Sequence, residues 1–150
     1  MAILASTMLP EALVLDVPEI DSQHEDIFFQ IESLKESCLE SNALPVAAID
    51  RLLASLATHF ATEERLAREA GIYFSDHEQQ HRDSLAAIKR ATHGVQQGTR
   101  DVFCLLRYLE CWFERHISDA DRPLAERLNR TPAFRPARPD AAREFRYLVA

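Results

Sequence analysis

Six histidines stand in this chain of 150 residues, and five of them recur at spacings that a helix would turn toward one side. His59 and Glu63 are four residues apart, as are His77 and His81, so the members of each pair point the same way from a helix. His24 lies three residues before Ile27 and seven before Ile31, and His116 lies four after Trp112 and three after Phe113. Each of these positions falls on the apolar stripe of its segment and therefore aims at a core. An unpartnered buried polar group costs on the order of several kcal/mol, and a small domain has only about 5–15 kcal/mol of net stability to lose. Five inward histidines and an inward glutamate therefore need a common partner, and a metal centre satisfies them together. Imidazole with carboxylate suits iron, zinc, copper or manganese, while the lack of clustered cysteine disfavours an iron–sulfur site. Five histidines are too many for one tetrahedral zinc with an open position. Two metals bridged by carboxylates would use them all, given a second carboxylate near His116. Asp119 and Asp121 are the candidates. His93, five residues before Gly98 and outside these patterns, reads as a surface residue.

Helices must hold such a set, and four segments carry helical periodicity: about 22–40, 46–70, 76–97 and 101–121. The stripes are Ile20, Ile27, Phe28, Ile31, Leu34 and Cys38; Ile49, Leu52, Leu53, Leu56, Phe60 and Leu66; Leu85, Ile88 and Val95; and Val102, Leu105, Leu109, Trp112, Phe113 and Ile117. Asp21 or Ser22 is the expected cap of the first, with Glu25 completing a capping box; Asn42 and Pro45 stop it. Gly71 stops the second, and Gly94 and Gly98 loosen the end of the third. Helices of about five turns joined by short links predict an all-α fold, an antiparallel up-down-up-down four-helix bundle over residues 1–130. Leu124, Ala125 and Leu128 extend it by a short helix.

Composition narrows the function. Hydrophobic residues make up 47% and charged residues 27%, as in one globular domain, and the net charge of −7 disfavours a nucleic-acid partner. Residues 131–150 are a Pro/Arg-rich extension carrying four arginines against Asp140 and Glu144, a balance of +2 that leaves −9 on the rest. This tail either docks across its own bundle or binds a protein partner. Cys38, Cys104 and Cys111 lack any metal or disulfide spacing and read as free thiols in the core. The first residues lack a basic signal-peptide start, and no run reaches the ~20 apolar residues of a membrane span, so the expected location is cytoplasmic.

Taken in order, IDSQH, HFATEE, HEQQH and HISDAD resemble the hemerythrin family, in particular its single-domain bacterial members, over about Leu13 to Leu128. The resemblance implies a non-haem di-iron centre with an oxo or hydroxo bridge. His77, His81 and His116 would ligate one iron. His24 and His59 would ligate the other, which keeps a vacant position, and Glu63 and Asp121 would bridge the two. It implies reversible O2 binding for storage, delivery or sensing, with no product and hence no enzyme. The alternatives are a di-iron enzyme acting on peroxide or nitric oxide, and a signalling module that responds to O2 or iron through the tail.

Two further expectations concern the site. His116 and Asp121 are five residues apart, roughly 140° around an ideal helix. Both can serve one centre only if the helix loosens by a residue, so a π-bulge is expected near Ser118–Asp121, helped by Pro123. The open position should be apolar, and Trp112, Phe113, Ile27, Phe28 and Phe60 are the candidates to line it. Family members commonly carry Leu where this chain has the larger Phe113, and Tyr-Pro where it has Tyr73-Phe74.

Overall fold

The computed structural model describes residues 9–132 with the exception of Asn42. Residues 133–150, and with them most of the basic tail, lie outside the described residues. The described residues form α-helices, one short 3-10 turn at Glu11–Leu13 and one π-helical turn, with no strand.

The helices are α1 (Pro18–Ser41), α2 (Val46–Glu69), α3 (Ser75–Gln96), α4 (Val102–His116) and α5 (Arg122–Arg130), with the π turn at Ile117–Asp121 between the last two. α1 packs on α2 and α4, α2 on α3, and α3 on α4, which closes the four long helices into a ring. With links of four or five residues, successive helices must run antiparallel, as expected for this bundle. The stripes are what they bury. Leu34, Cys38, Ile49, Leu52, Ile88, Leu105 and Leu109 fill one half of the core, each at most 2% exposed.

Local chemistry sets the ends. Gly71 (φ +67°) and Gly98 (φ +75°) take the left-handed conformation that terminates α2 and α3. The Asp101 carboxylate caps α4 by accepting from the backbone N–H of Phe103 at 2.7 Å and Cys104 at 3.3 Å. α1 departs from expectation. It starts at Pro18, four residues before Ser22, with proline in the first helical position and the Asp21 N–H bonded to the Val17 carbonyl at 2.9 Å. The Asp21 carboxylate caps nothing; it accepts from the Leu15 N–H at 2.8 Å. The preceding Leu13, Leu15 and Val17 are buried and dictate this register. The thiols also differ: Cys38 is fully buried, but Cys104 and Cys111 are exposed, because the α4 stripe runs through Leu105 and Leu109 instead.

α5 leaves the π turn and folds Leu124, Ala125 and Leu128 into the core. The N-terminal strap lies against it: the Arg122 guanidinium donates to the Ala12 carbonyl, and Asn129 Nδ2 donates to the Leu15 carbonyl at 3.3 Å. Among the described residues no helix is long and apolar enough to cross a membrane.

Candidate metal centre

The five histidines and Glu63 singled out by spacing, and Asp121 of the two carboxylates left open there, converge in the other half of the bundle. α1 supplies His24, α2 supplies His59 and Glu63, α3 supplies His77 and His81, α4 supplies His116, and the π turn supplies Asp121. Six are buried, with Glu63, His24 and Asp121 fully so; His77 is the most exposed, its side chain 13% accessible. His93 is on the surface, as expected.

Glu63 and Asp121 each divide their two oxygens between two groups of histidines. Glu63 Oε1 is 3.3 Å from His59 Nε2, and its Oε2 is 3.0 Å from His81 Nε2 and 3.3 Å from His77 Nε2. Asp121 Oδ2 is 2.9 Å from His24 Nε2 and 3.5 Å from His59 Nε2, while its Oδ1 is 3.0 Å from both His77 Nε2 and His116 Nε2. The result is two overlapping donor sets: His77, His81, His116, Glu63 and Asp121, and His24, His59, Glu63 and Asp121. In each set, ligand atoms lie within 4.8 Å of one another.

Asp121 reaches the centre through the π turn. The Arg122 N–H bonds the Ile117 carbonyl five residues back, and this extra residue rotates Asp121 inward. Pro123, following Arg122, has no N–H to offer the Asp119 carbonyl and so cannot restore the regular ladder. Asp119, the other candidate, is exposed. The helix distortion expected from the His116–Asp121 spacing is present, and it selects between the two carboxylates.

A metal fits these residues. Both oxygens of Glu63, both ring nitrogens of His81, His116 Nε2 and His24 Nδ1 are buried without a hydrogen-bond partner. The short approaches between Glu63 and the imidazoles thus lack hydrogen-bond geometry: ligand atoms from different helices converge as they would around a shared ion. Hard carboxylate and borderline imidazole donors with no thiolate among them suit a first-row transition ion.

The charges are strongly coupled. Burial and the nearby Asp121 charge would raise the Glu63 carboxyl, but the imidazoles of His59, His77 and His81 outweigh them and bring it down to about 2. Burial would likewise raise Asp121, yet His116, His24 and His59 hold it well below the ordinary carboxylate range. Burial alone would lower His59 and His77; Asp121 and Glu63 reverse this and hold both up at about 9. Burial is the largest influence on His81 and keeps it low. At pH 7 both raised imidazoles carry a proton that an incoming metal must displace. Loading at pH 7 should therefore release about two protons per chain, and apparent metal affinity should rise with pH up to about 9. Calorimetry in buffers of different ionisation enthalpy counts these protons; a buffer-independent heat would contradict the assignment.

The site also contains residues that spacing did not reveal. Gln23 Oε1 accepts from His59 Nδ1 at 2.9 Å, Gln23 Nε2 donates to Thr62 Oγ1 at 2.9 Å, and the Thr62 hydroxyl donates to the Thr58 carbonyl at 3.1 Å. This chain fixes the His59 ring with Nε2 inward. Phe74 lies against His77, with ring centres 4.4 Å apart, in the place where a Tyr-Pro pair was the family expectation. Of the apolar candidates, Phe60 stacks on His81 at 4.0 Å, Phe113 meets His24 edge-on at 5.7 Å, and Ile27 is buried. Trp112 stacks on His116 at 5.2 Å and donates from Nε1 to Ser84 Oγ at 3.0 Å, which places it on the three-histidine flank. Phe28 is half-buried at the edge of the core.

Comparison with known proteins agrees with this geometry. The family model described as Hemerythrin HHE cation binding domain matches residues 15–128. Searches of the curated proteins and of the solved structures return no match. The matched span takes in α1 through most of α5 and all seven converging side chains. The chain therefore belongs to the hemerythrin HHE cation-binding family.

Proposed function

We propose that this protein binds O2 reversibly at a pair of irons. His77, His81 and His116 would hold one ion and His24 and His59 the other, with Glu63 and Asp121 shared between them. One observation carries the reading: the two donor sets share both carboxylates but are unequal, five donors against four. The larger set would supply nearly all the ligands that one ion takes. The smaller set would leave its ion room for a small ligand. Two ferrous ions supply, when bound, the two electrons that reversible O2 binding requires.

The protein's own residues supply containment. Phe113 packs against His24, Phe60 lies against His59 and His81, and Ile27 is buried on α1 three residues after His24. Apolar walls keep bulk water from the centre and favour a neutral ligand over an ion. Gln23, the polar neighbour of His59, carries no titratable proton and so does not act as a general acid. This favours binding over turnover. The test is optical. Adding O2 to the reduced, iron-loaded protein should produce a visible charge-transfer band that disappears under argon. A spectrum that O2 leaves unchanged would overturn the reading.

A further inference from the structure

The walls of the centre are of two kinds. Toward α3 and α4 they are stacked rings: Phe60 on His81, Trp112 on His116 and Phe74 against His77. Toward the groove between α1 and α2 the cover is one amide. Gln23 stands between His59 and a surface cleft of about 150 Å³ whose lining is Gln23, Asp26, Ile27, Ser55 and Thr58. The innermost of these are the hydrogen-bond partner of His59 and a buried aliphatic one helical turn from His24. The cleft thus reaches to within one side chain of the donor set that has room for a ligand.

We propose that this cleft is the way in for small uncharged ligands, with Gln23 as its gate. The proposal rests on the reading that a ligand binds beside His24 and His59. Gln23 is held by two side-chain hydrogen bonds, to His59 and Thr62, and swings aside when they break. Such bonds open and re-form readily, whereas displacing Phe60 or Trp112 disrupts close packing. The cleft is large enough for O2 or water and too small for a metabolite. Asp26, exposed at its mouth, repels anions and ignores neutral molecules. The other exposed approach, past His77, leads to the donor set that is already nearly complete.

Thr58 is exposed, so Thr58→Phe fills the cleft without entering the core. In the zinc-loaded protein, NMR follows exchange of the His59 Nδ1 proton with D2O, a readout that needs neither iron nor O2. Thr58→Phe should slow that exchange about tenfold, as narrowing a gated path does. In the iron-loaded protein, stopped-flow should show O2 and azide associating and dissociating more slowly by one common factor, with Kd unchanged. A path alters both directions equally, whereas a pocket residue alters Kd. Asp26→Asn should speed azide association at low ionic strength and leave O2 association as it was. Slower proton exchange with no O2 or azide binding would support the path while overturning the O2 reading. Unchanged exchange and association rates in Thr58→Phe, or a slowed rate that also shifts Kd, would overturn the path.

Discussion

Asp121→Asn should cut the metal that the protein takes up to one ion per chain or fewer, while Asp119→Asn should leave uptake as it is in the wild type. The reason is geometric. Asp121 stands within 3.0 Å of histidines from α1, α3 and α4, so one carboxylate ties three helices to both donor sets. An amide at that position has one oxygen and no charge, and can satisfy one donor set at most. Without metal the variant also suffers. His59 and His77 are held protonated at neutral pH by Asp121 and Glu63, and losing one carboxylate leaves buried positive charge poorly compensated. Removing one partner of a buried ion pair costs about 3–5 kcal/mol. Asp119 is exposed, and nothing comparable follows from changing it. Metal analysis of the three proteins after identical loading decides the matter. Equal loss in both variants would point to a general effect of the π turn rather than to the Asp121 carboxylate.

Removing the metals from the wild type should lower Tm by about 15–30 °C yet leave the protein helical. Ligand held a thousandfold above its Kd adds about 4 kcal/mol of stability per site, about 8 kcal/mol for two, and 1 kcal/mol moves Tm by about 2–4 °C in a domain of about 150 residues. Against that loss stands the distal half of the core, where Leu34, Cys38, Ile49, Leu52, Ile88, Leu105 and Leu109 are packed without polar groups. That half should persist. The loosening should concentrate around residues 59–63, 77–81 and 116–121, where unpartnered buried atoms cluster. Thermal unfolding before and after chelation gives the first number, and amide hydrogen exchange locates the loosened segments. Uniform loss of protection along all four long helices would contradict this division of the core.

Most of the site was legible because function and packing conflict at these positions. A histidine or glutamate on an apolar stripe violates the helical pattern, and the violations at His24, His59, Glu63, His81 and His116 identify residues that the structure buries. The five-residue step from His116 to Asp121 was legible for the same reason: a regular helix cannot satisfy it, and the π turn is the physical solution. Gln23 was not legible. It sits about 100° around α1 from His24, off the stripe, and reaches His59 only because α2 packs alongside. Phe74 was hidden likewise, since a loop residue has no periodicity to read. The start of α1 was misplaced because a good capping sequence at Ser22 competes with burial of Leu15 and Val17, and burial wins. The two exposed cysteines show the limit of residue type as a guide: the α4 stripe, not thiol hydrophobicity, decides which face Cys104 and Cys111 occupy.

The reading of a reversible O2-binding di-iron centre is tested most directly by gas uptake. The protein is loaded anaerobically with ferrous iron, its iron is quantified, and O2 consumed and released is measured over repeated cycles of air and argon. The result expected is one O2 taken up per two irons and returned under argon, cycle after cycle. Consumption of O2 without release, or uptake that does not scale with two irons per chain, would contradict it.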